Sequence, residues 1–84
     1  MKANTFSTLK KTLREIQKLQ AKSREGVFFQ LDFFNGGKGK SSISVKVHHN
    51  FNPPQCFNFV DGHFYEELRI AAFNKLKRYI ETLQ

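Results

Sequence analysis

Apolar residues near the start of the chain recur at helical spacing, with Phe6, Leu9, Leu13 and Ile16 in one stripe, Leu19 on its flank and Gln20 continuing its line. This pattern predicts an amphipathic helix over about residues 5–22. Advancing 100° per residue, Lys11, Arg14, Lys18 and Lys22 fall within roughly 80° of one another, opposite the stripe. The period then drops to two. Over residues 26–34, Val27, Phe29, Leu31 and Phe33 share one side, and Phe28, Gln30, Asp32 and Phe34 the other, which predicts a half-buried strand. Residues 41–49 repeat the alternation, with Ile43, Val45 and Val47 inward and Ser42, Ser44, Lys46 and His48 outward. A third strand is expected over 55–60, giving Phe57 and Phe59 to the core and Cys56, Asn58 and Val60 to the opposite face. It is the shortest of the three, because the paired prolines Pro53 and Pro54 deny ladder donors to what precedes it.

The breaks between these segments carry turn chemistry. Asn35-Gly36-Gly37-Lys38-Gly39-Lys40-Ser41-Ser42 reads as a flexible loop, and Asn50 to Pro54 and Asp61-Gly62 as turns. Beyond Asp61, taken as an N-cap, a second helix is expected over about 63–83. Glu66 and Glu67 lie in its first turns and Lys75, Lys77 and Arg78 toward its end, the polarity that a helix dipole favours. Phe64, Leu68, Ala72, Leu76, Tyr79, Ile80 and Leu83 make its expected apolar face, with Ile70 off that face. The order is α-β-β-β-α. Half-polar strands with short connections are satisfied most economically by an antiparallel meander, so the fold class expected is two-layer α+β. Its three-stranded antiparallel sheet carries two helices packed on one face.

Eighty-four residues of which 39% are apolar suffice for one compact domain with one core, so residues 1–84 are expected to form a single domain. A single cysteine, Cys56, leaves no intramolecular disulfide, and no apolar run is long enough to span a membrane. The first residues show no apolar segment or cleavage signature, so a cytoplasmic protein without membrane association is expected. Fourteen Lys and Arg against seven Asp and Glu give a net charge of +7. That excess is uneven. Residues 1–25 hold seven basic groups against two acidic ones, 26–49 hold three against one, and 50–84 balance four against four.

Gly39-Lys40-Ser41 matches the end of a phosphate-binding Walker A loop, but Phe34 stands where that motif needs Gly, and a strand is expected where it needs a helix. His48, His49, Cys56 and His63 have no close pair spaced to begin a tetrahedral metal site, and His48 and His49 would point to opposite faces of a strand. Cys56 in mid-strand lacks a thiolate-stabilising surrounding, and Glu66 and Glu67 project about 100° apart on a helix. No catalytic constellation, metal or cofactor is therefore expected. The basic stripe on the first helix is the stronger signal. Only Glu15 lies on its margin, whereas a merely solvated helix face intersperses both signs. Lys38 and Lys40 on a glycine-rich loop add charge without fixed geometry. Phe28 and Phe34 on the outer sheet face could stack bases or seat a protein, and the protein contact is preferred, with Lys46 and His48 beside them.

The α-β-β-β-α order resembles that of the double-stranded-RNA-binding domain, in which the first helix and the loop between the first two strands touch the minor groove. That family clamps phosphates with lysines at the start of its last helix, where this chain has Asp61-Gly62-His63-Phe64-Tyr65-Glu66-Glu67. The small basic chain also resembles, in size and composition, inhibitors made by viruses and mobile elements against host nucleic-acid enzymes. The functional expectation is a non-catalytic domain whose anion-binding residues are Lys11, Arg14, Lys18, Lys22, Lys38 and Lys40. Its partner would be nucleic acid or a similarly acidic protein surface. The alternative is an inhibitor or adaptor acting through Phe28, Phe34, Lys46 and His48, a face that would also serve a homodimer.

Overall fold

The computed structural model describes residues 5–23, 25–36, 41–50 and 52–83. Its elements are α1 (Leu9–Lys22), β1 (Val27–Asn35), β2 (Ser41–His49), β3 (Asn52–Val60), a single 3-10 turn (His63–Tyr65) and α2 (Glu66–Thr82). The strands form one antiparallel sheet in the order β1-β2-β3, as the alternation of the sequence requires. In β1 against β2, Phe29 faces Val47, Leu31 faces Val45 and Phe33 faces Ile43. In β2 against β3, Ile43 faces Phe59 and Val45 faces Phe57. Both helices lie on this apolar side, α1 against β1 and α2 against β3. Each begins at the end of the sheet where Phe34, Ser42 and Val60 align and runs toward the end where Val27 meets His49. The core joins Ile16 of α1, Phe29, Ile43, Val45, Val47 and Phe59 of the sheet, and Leu76 and Ile80 of α2. Complete burial of side chains this size stabilises the fold by about 1.5–3 kcal/mol each.

Four features depart from the sequence expectation. First, α1 starts at Leu9 and not at residue 5, because the Thr8 side chain accepts from Lys11 N at 3.1 Å and fixes the N-terminus there. Second, β3 is not the shortest strand: it starts at Asn52, runs through Pro53 and Pro54, and is nine residues long like its neighbours. It is an edge strand, where a missing N–H need not break a ladder, and its register shifts between Val47 and His49 at that point. Third, Asp61 does not cap α2. The residue at that cap is Tyr65, which makes no side-chain capping bond, and Asp61 Oδ1 instead accepts from Leu9 N at 3.3 Å, stitching the start of α1 to the end of β3. Fourth, Phe64 and Leu68 are 93% and 62% exposed, and the face of α2 turned to the sheet carries Arg69, Leu76 and Ile80, with Ala72, Phe73, Tyr79 and Leu83 partly buried.

Arg69 explains the last difference. Only 1% exposed, its guanidinium reaches four backbone carbonyls: Nε donates to Phe6 O (2.9 Å), Nη1 to Val60 O (2.7 Å) and Gly62 O (2.8 Å), and Nη2 to Ser7 O (3.0 Å). A planar fork of five donors suits this arrangement of acceptors. It ties the segment before α1, the end of β3 and the turn before α2 to one side chain. Phe6 packs against Phe73 with tilted rings, centroids 5.0 Å apart, while Leu68 stays exposed. Phe33 is the corresponding exception on β1. It belongs to the helix-facing side but is 59% exposed, at the end of the sheet where α1 begins and beside an open recess lined by Leu9 and Leu13.

Candidate functional site

The cationic face of α1 is built by the burial of the opposite face. Ile16 is buried among the sheet residues, Leu9, Leu13 and Leu19 pack against the same core, and buried Thr12 donates from Oγ1 to Thr8 O at 2.9 Å. At the other end Ser23 N donates to Gln20 O, and Ser23 Oγ to Leu19 O at 3.0 Å. With the helix so pinned, Lys11, Arg14, Lys18 and Lys22 are all exposed on the outward side. Lys18 Nζ lies 3.3 Å from Glu15 Oε2, an i,i+3 pair on the surface that is worth little against solvent and is displaced without much loss. Lys10, not singled out from the sequence, is also exposed at the margin of this face. Lys38 and Lys40 lie outside the described residues. Ser41, which follows them, opens strand β2 and not the helix that a Walker A loop requires.

The second candidate surface is the outer face of the sheet. Its rows across β1, β2 and β3 are Phe34, Ser42 and Val60, then Asp32, Ser44 and Asn58, then Gln30, Lys46 and Cys56, with Phe28 beside His48 at the far end. The Phe28 and His48 rings lie 5.1 Å apart, and His48 Nε2 is 3.1 Å from Gln30 Oε1, so Phe28, His48, Gln30 and Lys46 form one cluster. Phe34 is not part of it. Six residues along β1, it stands roughly 20 Å away. Phe28 and Phe34 are 55% and 58% exposed. Phe34 is instead associated with Phe33, Leu9 and Leu13 around a cavity of about 300 Å³ at the end of the hairpin, which the sequence reading missed. The exposure of Phe33, unexpected for its position in the alternation, makes this apolar recess.

The two surfaces lie on opposite sides of the sheet, so the cations of α1 and the aromatics of the outer face cannot be covered together by one flat ligand. Lys75, Lys77 and Arg78 extend the exposed positive charge onto α2. They stand short of its last turn, which holds no basic residue, so dipole compensation does not account for them. Cys56 is exposed with its Sγ 3.5 Å from Ser44 Oγ. No group of three or more His, Cys, Asp or Glu among the described residues is placed to hold a metal ion. Among the described residues no helix is long and apolar enough to cross a membrane. Comparison with protein-family models, with curated proteins and with solved structures finds no match to this chain.

Proposed function

We propose that this protein is a binding domain for a polyanion, with the phosphate backbone of nucleic acid as the ligand and Lys11, Arg14, Lys18 and Lys22 as its principal contacts. The observation that carries this reading is the exposure of all four cations on one helix face whose opposite face is fixed in the core. A row of cations held in this way neutralises successive phosphates and gains from the release of condensed counterions. Lys38 and Lys40 would add to the same field.

The test is fluorescence anisotropy with short single- and double-stranded DNA and RNA across a salt series. Four phosphate contacts on B-form DNA give a slope of log K against log salt of about −3 to −4. The triple variant Lys11→Glu, Lys18→Glu and Lys22→Glu should abolish binding while leaving the circular dichroism spectrum unchanged. Undiminished affinity in the folded variant rejects the assignment. The exposure of Phe28 and Phe34 favours a second reading, an inhibitor or adaptor that docks on an acidic, nucleic-acid-like protein surface through the outer sheet face, with the +7 charge steering the encounter. Lack of binding to every nucleic acid at low salt would select that reading over the first.

A further inference from the structure

The backbone of β3 carries information that its side chains do not. Asp61 N donates to Ser41 O at 2.9 Å, and Asp61 continues the register in which Phe59 faces Ile43 and Phe57 faces Val45. In an antiparallel ladder the residues that exchange bonds with the neighbour alternate with those that point away. From Gln55 to Asp61 the odd residues therefore bond β2, and Cys56, Asn58 and Val60 direct their backbone groups outward, off the edge of the sheet, whereas Pro54 lies in the register shift and outside this alternation. Val60 O confirms the parity, since it is met from outside by Arg69 Nη1 at 2.7 Å. Pro54 has no N–H. The edge thus offers both groups at Cys56 and Asn58, and is bounded by Pro54 at one end and by Arg69 beside Val60 at the other.

We propose that two copies of this chain pair through β3, antiparallel, about a two-fold axis at Phe57, to make a continuous six-stranded sheet. In that register Cys56 N–H donates to Asn58 O of the second copy and Asn58 N–H to its Cys56 O, with the symmetric bonds returned. Beyond these four bonds the strands part, since the Pro54 ring carries Cδ where a donor N–H would stand and the space beside Val60 O is held by Arg69 Nη1. A two-fold axis at Cys56 sets Asn58 O opposite Pro54, which has no N–H to give. An axis at Asn58 sets Cys56 N–H against the occupied Val60 O. Of these three registers only that at Phe57 lets Cys56 and Asn58 exchange all their outward bonds without meeting Pro54 or Val60 O, which matters because each buried orphan costs about 1–3 kcal/mol.

The surroundings fit a second copy. Cys56, Asn58 and Val60 line a groove of about 360 Å³ whose other wall is Leu68, Arg69, Ala71, Ala72 and Lys75 of α2, so the added strand finds a wall that is apolar at Leu68 and the two alanines and basic at its ends. Like charge opposes association at +7, but residues 50–84, which supply β3 and α2, are balanced, and the excess belongs to residues 1–49. Pairing at the β1 edge would bring the two α1 cationic faces together, whereas pairing at β3 leaves them at the outer flanks. This proposal does not depend on what the α1 face binds.

The test is sedimentation equilibrium of the full chain over a concentration series, with three variants. The wild type and the Phe28→Ser, Phe34→Ser double variant should both give the mass of two chains. Asn58→Pro removes an N–H that turns away from β2 and bonds none of the described residues, so its circular dichroism should be retained while its dimer dissociation constant rises at least about tenfold, two symmetric bonds being lost. Asn58→Cys places a second thiol opposite Cys56 of the other copy at about 5.5 Å between Cα atoms, within disulfide reach, and mild oxidation should then yield covalent dimers. In the wild type the two Cys56 residues are diagonal at about 7–8 Å and should not cross-link. Four results overturn the proposal: a monomer at every concentration, a dimer unaffected by Asn58→Pro, a dimer dissociated by the Phe28 and Phe34 changes, or efficient cross-linking through Cys56 alone.

Discussion

Arg69 and Gly62 hold together the junction of the segment before α1, the end of β3 and the turn before α2. Removing the guanidinium leaves carbonyls of Phe6, Ser7, Val60 and Gly62 without their donor, so Arg69→Met should destabilise the protein by about 3 kcal/mol or more in urea unfolding. Arg69→Lys should recover only part of this, since a single ammonium cannot span four acceptors that a planar fork reaches together. A loss below about 1 kcal/mol for Arg69→Met would show that the carbonyls find other donors. Gly62 has φ +112°, and a Cβ there would stand 3.2 Å from Tyr65 Cδ2. Gly62→Ala should therefore cost about 1 kcal/mol or more by the same measurement, from backbone strain alone.

At the scale of elements, the burial of α2 makes a distinction that its sequence periodicity does not. Leu76 and Phe59 are completely buried and their replacement by Ala should cost about 2–5 kcal/mol each, whereas Phe64→Ser should stay within about 0.5 kcal/mol although Phe64 extends the same sequence stripe. Chemical denaturation of the three variants checks this, and a large loss for Phe64→Ser would mean that α2 is seated on its other face. The stripe misleads at Phe64 because that residue lies in a 3-10 turn, whose shorter period puts it out of phase with the helix that follows. It misleads at Leu68 because position 69 faces the sheet. Strands were more legible than helices: β2 falls on its expected residues, and β1 is displaced by one. A period of two with buried β-branched residues on one side fixes register strongly. β3 was shortened by its prolines only because the sequence does not say which strand lies at an edge.

At the scale of the whole molecule, the two candidate surfaces are separated by the sheet itself, and this makes their contributions separable. In the nucleic-acid assay, the Phe28→Ser, Phe34→Ser variant should bind within about twofold of wild type, and its effect should add to that of the α1 charge reversals, since distant sites without shared partners act independently. A strong coupling between the two sets would mean that one ligand wraps the edge of the protein. By itself the sequence determined the α+β class, the order of elements, the inward side of each strand and the exposure of Lys11, Arg14, Lys18 and Lys22. These follow from local period and from burying one face of each element. Only the tertiary structure decided that Asp61 caps α1 across 52 residues, that Arg69 is buried, that Phe33 is open, and that Val60 O at the edge of β3 is taken by Arg69. Each of these depends on which carbonyl or side chain arrives from a distant part of the chain, and no local period encodes that arrival.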